Sequence, residues 1–403
     1  ALWLSIGFAC ILYLATFFSA PLIASVYSMP TLELYIRVLA LTIFLDSFNS
    51  IQRAYLQKKM EFKKLFQVNF ISLLLGAVTG VILAILGFGV WALIYQVIVQ
   101  AFTACITMLI TIPWKPQLTF NLKEGQNLFS YGWKICATGI LNTFYTGLSE
   151  LIIGKFCNAA DLGYYSQGRK WPNAAMAAVN NSLQNVLFPA FSELQDDLSQ
   201  LQYTIKKALI SGFYITSPIC ILSAILAEPI IYLFLGEAWL PCTLVFQLTC
   251  LGFVFAMPQV VNLRAYMALG HSGLYLKLQL IKVISGAIIF CGVALITKNI
   301  YFLSLAVFIH AVICVLFVDM HPAKRIIGIG ALNQVKIIIP TLVLAAIASI
   351  PTIAISAAHI GYIPQLFLQI ITFVLIYLTG SIACHHEGLT DCKATLWRLI
   401  KRQ

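Results

Sequence analysis

Charge is scarce in this chain: Asp, Glu, Lys and Arg together make up 10% of its 403 residues. An ordinary soluble domain carries about 25%, so a water-facing globular surface is excluded. Long hydrophilic segments are missing too; the longest expected connection, around residues 154–170, is too short to fold by itself. Acidic residues are few, 14 against 25 Lys and Arg, for a net charge of +11. There is no GxxxxGK[ST] phosphate loop, no CxxC pair, no His/Cys metal spacing and no nucleophile beside a recognisable base. An ATP-driven engine, a zinc fold and a hydrolase are therefore not expected, and the chain reads as no enzyme and as needing no cofactor or metal. Its eleven cysteines stand singly, mostly inside apolar runs, as small buried hydrophobes.

What is present is apolar: 61% of the residues are hydrophobic. A span of the bilayer takes about 20 such residues. Twelve runs qualify, near 2–27, 33–52, 65–86, 89–112, 128–153, 171–194, 208–228, 241–263, 275–297, 300–318, 337–357 and 364–384. The fold expected is an all-α polytopic membrane protein. Lys and Arg gather in alternate loops: Arg53 to Lys64, Lys115 and Lys123, Lys206 and Lys207, Arg264, Lys324 to Lys336, and the tail from Lys393. The opposite loops hold Lys155, Arg169, Lys170 and Lys298. By the positive-inside rule both ends of the chain are expected in the cytoplasm. The basic excess thus marks one membrane face, and the partners it implies are lipids, not nucleic acid.

The sequence also repeats. RAYLQKKMEFKKLFQVNFISLLLGAVTGVILAILGFG from Arg53 aligns without a gap with RAYMALGHSGLYLKLQLIKVISGAIIFCGVALITKN from Arg264. Spans one to four match spans seven to ten, which makes a parallel repeat about an axis along the membrane normal. Nothing before span one matches spans five and six, so the expectation is an N-terminal truncation, with 12 of an inferred 14 transmembrane helices present. The expected division is an incomplete four-helix bundle at 1–127, a six-helix bundle at 128–325, and a final helix pair with a cytoplasmic tail at 326–403.

Polar groups inside spans cost free energy, so each is a candidate site. The sixth span is expected to open at Pro172, and at helical spacing Asn173, Asn180, Asn181, Gln184 and Asn185 share one arc. Unpaired amides cannot face lipid; they line a hydrated path or serve as polar glue between helices. Span five carries Tyr131, Lys134, Thr138, Asn142, Tyr145 and Ser149 on one stripe. Lys134 suits an anionic headgroup or snorkels to the interface. Arg169 and Lys170, at the outer end of span six, suit phosphate or lipid headgroups. Glu150 is a protonatable coupling group or an ion-pair partner for Lys155, Arg169 or Lys170, and Asp46 in span two is a second coupling candidate. Lys282 in span nine and His310 in span ten are ionisable groups inside spans, and either reads equally as a satisfied packing residue. Residues 197–209 read as a short amphipathic helix on the cytoplasmic face.

Four stretches carry a resemblance: GFGVWAL at 87–93, LGYYSQGRKWP at 162–172, VLFPAFSELQDD at 186–197 and EPIIYLFLGEAWLP at 228–241. In these the sequence resembles the polysaccharide flippases of the multidrug/oligosaccharidyl-lipid/polysaccharide superfamily, in the branch of colanic-acid and teichuronic-acid exporters. The resemblance implies two pseudo-symmetric helical lobes around a central cavity. It implies translocation of undecaprenyl-diphosphate-linked glycans across the bacterial cytoplasmic (inner) membrane, alongside other polysaccharide-assembly proteins. The substrate-binding residues expected on this reading are Lys134, Asn142, Arg169, Lys170, Asn173, Asn180, Asn181 and Gln184. The alternatives are a drug/cation antiporter of the same superfamily, which would favour acidic residues and aromatics in its cavity, and a membrane-embedded glycan polymerase or ligase, which would be expected to display a large outer loop.

Overall fold

A computed structural model describes residues 2–59, 61–112, 122–356 and 361–391; the side chains of 122–138, 178–186 and a few single positions lie outside that description. Every regular element among the described residues is a helix. The chain divides into two compact units, Ala1–Ala137 and Thr138–Gln403. The first holds α1 (Leu2–Tyr27), α2 (Thr31–Leu39), α3 (Thr42–Lys58), α4 (Phe62–Ile85) and α5 (Val90–Thr111), then the start of α6 (Leu122–Phe156). The second continues with α7 (Ala159–Glu193), α8 (Leu198–Ile225), α9 (Ala227–Leu235), α10 (Thr243–Val254) and α11 (Ala256–Ala268). It closes with α12 (Ser272–Thr297), α13 (Ile300–Ile313), α14 (Ala323–Ile326), α15 (Ala331–Ser356) and α16 (Tyr362–Ala383).

Helix α4 shows which solvent these helices are built for. It buries Val68, Ser72, Gly76 and Gly80, four residues apart, and exposes Phe66, Phe70, Leu73, Leu74, Val81 and Ile85. A water-soluble helix does the reverse; in lipid, small residues go to the helix contact and large apolar ones face the acyl chains. Ten stretches among the described residues are long and apolar enough to cross a membrane: 5–27, 31–57, 62–85, 90–111, 198–225, 237–254, 273–297, 300–326, 331–356 and 362–383. The chain is a multi-pass, all-α membrane protein. The expected spans 128–153 and 171–194 fall within α6 and α7, two helices of 35 residues each that are not among the ten.

The repeat is visible in the elements. Phe62 and Ser272, where α4 and α12 begin, and Val90 and Ile300, where α5 and α13 begin, lie 210 residues apart in both cases. The preceding span is broken in each copy, between α2 and α3 at Ala40–Leu41 and between α10 and α11 at Phe255.

Several local expectations are corrected. Pro172 is not at a helix start: α7 opens at Ala159, because Asn158 Oδ1 accepts the Asp161 N–H at 2.7 Å and satisfies an orphan donor of the first turn. The long connection at 154–170 therefore shrinks to Cys157–Asn158, and Tyr165 and Arg169 ride on a helix. Residues 197–209 do not lie separately on a surface either. They form the first turns of α8, capped by Asp197, with Leu201, Ile205 and Leu209 buried. These pack with Phe191 of α7 and with Met257, Val261 and Tyr266 of α11 in the main core of the second unit. Amphipathic spacing alone does not distinguish a lipid-facing stripe from a core-facing one.

The final helices join the same unit. Tyr214 of α8 donates to Ser381 Oγ at 2.9 Å, and Tyr377 of α16 donates to the Tyr214 carbonyl at 2.9 Å. In the first unit, Leu56, Val68, Ala104 and Met108 form the core where α3, α4 and α5 meet, and Asn49 donates to the Ala101 carbonyl at 3.1 Å.

Candidate functional site

The second unit holds a partly open cavity of about 500 Å³ beside the break between α10 and α11. From α6 it is lined by Asn142, Tyr145 and Thr146, and from α7 by Tyr165, Arg169 and Asn173, four residues apart on one helix face. Gln259 and Arg264 of α11 and Tyr275 and Gln279 of α12 complete its polar wall, while Leu248, Phe253 and Phe308 supply apolar surface. Two guanidinium groups and no carboxylate stand among its described lining residues. A site of that sign favours anions, and amides with hydroxyls suit the oxygens of sugars and phosphates.

Arg169 is held firmly. Its Nη1 donates to Ser149 Oγ at 2.8 Å, to the Thr146 carbonyl at 3.3 Å and to the Tyr165 hydroxyl at 3.5 Å. Glu150 Oε1 lies 3.8 Å from the same nitrogen, and the guanidinium sits over the Tyr165 ring at 5.3 Å. Gly168 allows the helix behind it to come close. A Cβ there would stand 2.8 Å from Val245 Cβ and 2.9 Å from the Cys242 carbonyl oxygen of the neighbouring segment.

Behind the cavity wall lies a buried polar network. Lys282 Nζ of α12 is 2.6 Å from Asp319 Oδ1, with 2% and 0% of the two side chains exposed. Asp319 ends a short π-helical segment, Cys314–Asp319, that continues α13. Such segments are rare overall and frequent at functional sites. Gln259 donates to Asp319 Oδ2 at 3.1 Å, and Tyr266 donates to the Asp319 carbonyl at 2.6 Å. Next to this pair, His310 meets Ser285 Oγ at 2.9 Å through Nε2 and the Tyr145 hydroxyl at 3.4 Å through Nδ1. Gly286 leaves room for the imidazole, since a Cβ there would be 3.3 Å from its Cε1. Among the described residues no three His, Cys, Asp or Glu side chains gather as a metal site.

Residues 1–244 match the model of a family described as polysaccharide biosynthesis protein. The chain belongs to that family. Among curated relatives it is 24% identical over 237 residues to the succinoglycan biosynthesis transport protein ExoT of Rhizobium meliloti, covering 59% of this chain and 48% of that protein. It is 26% identical over 257 residues to the lipopolysaccharide biosynthesis protein WzxC of Escherichia coli, covering 62% and 51%. To the teichuronic acid biosynthesis protein TuaB of Bacillus subtilis it is 22% identical over 240 residues, covering 59% and 50%. The chain thus spans about half the length of the curated relatives it matches. Its fold is similar to that of a solved structure, the lipid II flippase MurJ (inward closed conformation), with a TM-score of 0.71 at 16% identity, over 93% of this chain and 80% of that one.

In this polysaccharide biosynthesis protein the expected site residues part company. Asn142, Arg169 and Asn173 come together on the cavity wall, and Asn142 Oδ1 accepts from Gln279 at 3.4 Å. Glu150 stands beside them, with 43% of its side chain exposed, as the ion-pair partner of Arg169. Lys170 is exposed and outside the lining. Asp46 is exposed on α3 in the first unit. The side chains of Lys134, Asn180, Asn181 and Gln184 lie outside the described residues. Gln259, Arg264 and Gln279 were not singled out for this cavity, and the Lys282–Asp319 pair was not foreseen. A signal for the pair exists: α12 and α13 form an antiparallel hairpin, and Lys282 and Asp319 lie at comparable distances from its turn.

Proposed function

We propose that the intact protein is a transporter, not an enzyme, that moves an anionic lipid-linked glycan precursor across the bacterial inner membrane by alternating access. The carrier expected is undecaprenyl diphosphate. The observation that carries this reading is the composition of the cavity: Arg169 and Arg264 with amides and hydroxyls and no lining carboxylate, beside a broken helix. A lipid-linked sugar diphosphate needs such a polar, basic seat for its head while its tail stays in lipid. Membership of the polysaccharide biosynthesis family and the names of the relatives point the same way. A drug/cation antiporter would need the opposite sign of charge in this cavity. The Lys and Arg distribution puts both ends of the chain in the cytoplasm on this reading, and other assembly proteins of the glycan are its expected neighbours.

The test is complementation of a flippase-deficient strain with the complete gene, with lipid-linked glycans followed by mass spectrometry. Arg169→Leu combined with Arg264→Leu is expected to cut export at least tenfold, about 1.4 kcal/mol or more, and Asn180→Leu with Asn181→Leu to do likewise, while both proteins still insert. Full export by both variants would exclude these residues from the path.

A further inference from the structure

The Lys282–Asp319 pair poses an energetic question. Burying two charges is expensive, and replacing such a pair by apolar side chains is often neutral or stabilising. Stability alone therefore does not account for it, and in a membrane helix an ionisable residue marks function by default. Its position gives the reason. Tyr275 and Gln279 line the cavity, and Lys282 follows them at i+7 and i+3 on the same face of α12. On the other side, Gln259 lines the cavity while its amide holds Asp319. Gln259 thus touches the pair and lines the cavity at once.

We propose that Lys282 is a latent anion ligand of this cavity, held in reserve by Asp319 and released when Asp319 takes up a proton. This rests on reading the cavity as the seat of a diphosphate headgroup. The exchange is balanced: a proton adds to a carboxylate oxygen of Asp319, the ion pair breaks, and the Lys282 ammonium, still charged, turns its flexible four-carbon stem toward a phosphate oxygen in the cavity. Loss of the proton restores the carboxylate, which reclaims Lys282, and the anion loses a ligand. A buried ammonium needs a partner in either state; the carboxylate and the phosphate supply it in turn. Proton uptake and anion binding are thereby linked.

The groups in contact with Asp319 from the packed elements are Lys282 of α12 and Gln259 and Tyr266 of α11; near them, His310 and Cys314 of the preceding turns touch each other, with Tyr145 of α6 on the other side of His310. His310 is the rival titrating group, and Ser285 connects it to the same helix.

The test measures binding of undecaprenyl diphosphate to the full chain in detergent micelles at about pH 8 and about pH 6. The wild type is expected to bind about fivefold more tightly at the lower pH, beyond the change shared by all variants from the ligand's own titration. Asp319→Asn, which mimics the protonated acid, is expected to bind tightly at both pH values, and Lys282→Met weakly at both. Lys282→Met with Asp319→Leu fills the site without charge; it is expected to melt like the wild type and bind weakly throughout. His310→Gln is expected to keep the pH response. The inference is overturned if Asp319→Asn binds no better than the wild type at pH 8, if the wild type shows no pH response of its own, if His310→Gln removes that response, or if no form binds the carrier. Export lost in complementation with this binding pattern intact would count against the transport reading alone.

Discussion

His386 sits just past the end of α16, outside the membrane-spanning helices, and makes two hydrogen bonds, one of which a proton on Nδ1 would break. Its Nδ1 accepts the Gly388 N–H at 3.0 Å, which leaves the proton on Nε2, 3.0 Å from Thr341 Oγ1. Its ring packs on Tyr214 with centroids 5.1 Å apart. Burial holds this imidazole below its ordinary pKa, against a smaller opposing pull from Glu387. A base depressed in the folded state contributes stability that is fully present above its unfolded pKa, near 6.5, and is lost as pH falls through that value toward the folded one. The protein is therefore expected to melt about 2 °C lower at pH 5.5 than at pH 7.5. His386→Phe keeps the ring contact and should flatten that part of the pH dependence while lowering stability at neutral pH. Thermal melts of the two purified proteins across this range check it. A similar residue-scale device joins Asn262 and Gln334, whose amides donate to each other at 2.8 and 2.9 Å in a site sealed from water.

At the scale of elements, close helix approach decides where the cationic group of the cavity stands. Helix α7 reaches α10 at Gly168, where an added Cβ would meet the Cys242 carbonyl, a backbone atom with no rotamer to escape through. Gly168→Val is expected to push the two helices apart at a cost of about 1–3 kcal/mol. Because Arg169 is the next residue and is positioned by Ser149 and Thr146 of α6, the shift should also weaken carrier binding. Binding and melting measured together on this variant test the claim; unchanged binding in a folded variant would sever the link between that contact and the site. Gly76 and Gly80 play the corresponding packing role between α4 and α5, where added Cβ atoms would meet Gln96 and Gln100.

The whole molecule is ordered by a solvent that is apolar in the middle and charged on one side. Large apolar side chains cover the outside of its helices, and Lys and Arg collect in alternate connections. Green fluorescent protein fused after Gln403 is expected to fluoresce, since it matures in the cytoplasm. Alkaline phosphatase inserted after Lys298 should be active and after Asp196, in the turn between α7 and α8, inactive. The reverse pattern would invert the proposed orientation.

Helical class, membrane residence, the repeat and the family were all legible in the chain, because lipid demands long apolar runs and because repeated runs leave their spacing in the residues. Asn142, Arg169 and Asn173 were legible as polar positions, since any amide or guanidinium inside a span stands out. Their grouping was not: it depends on Asn158 opening α7 ahead of Pro172, so that Tyr165 and Arg169 lie on a helix face. Nor does spacing announce the break at Phe255 or the π-helical segment before Asp319, which depend on packing between helices distant in sequence. Composition decided which solvent the protein lives in; only the tertiary structure decided which polar groups meet, because partnership inside a membrane is a matter of helix contacts that no single helix encodes.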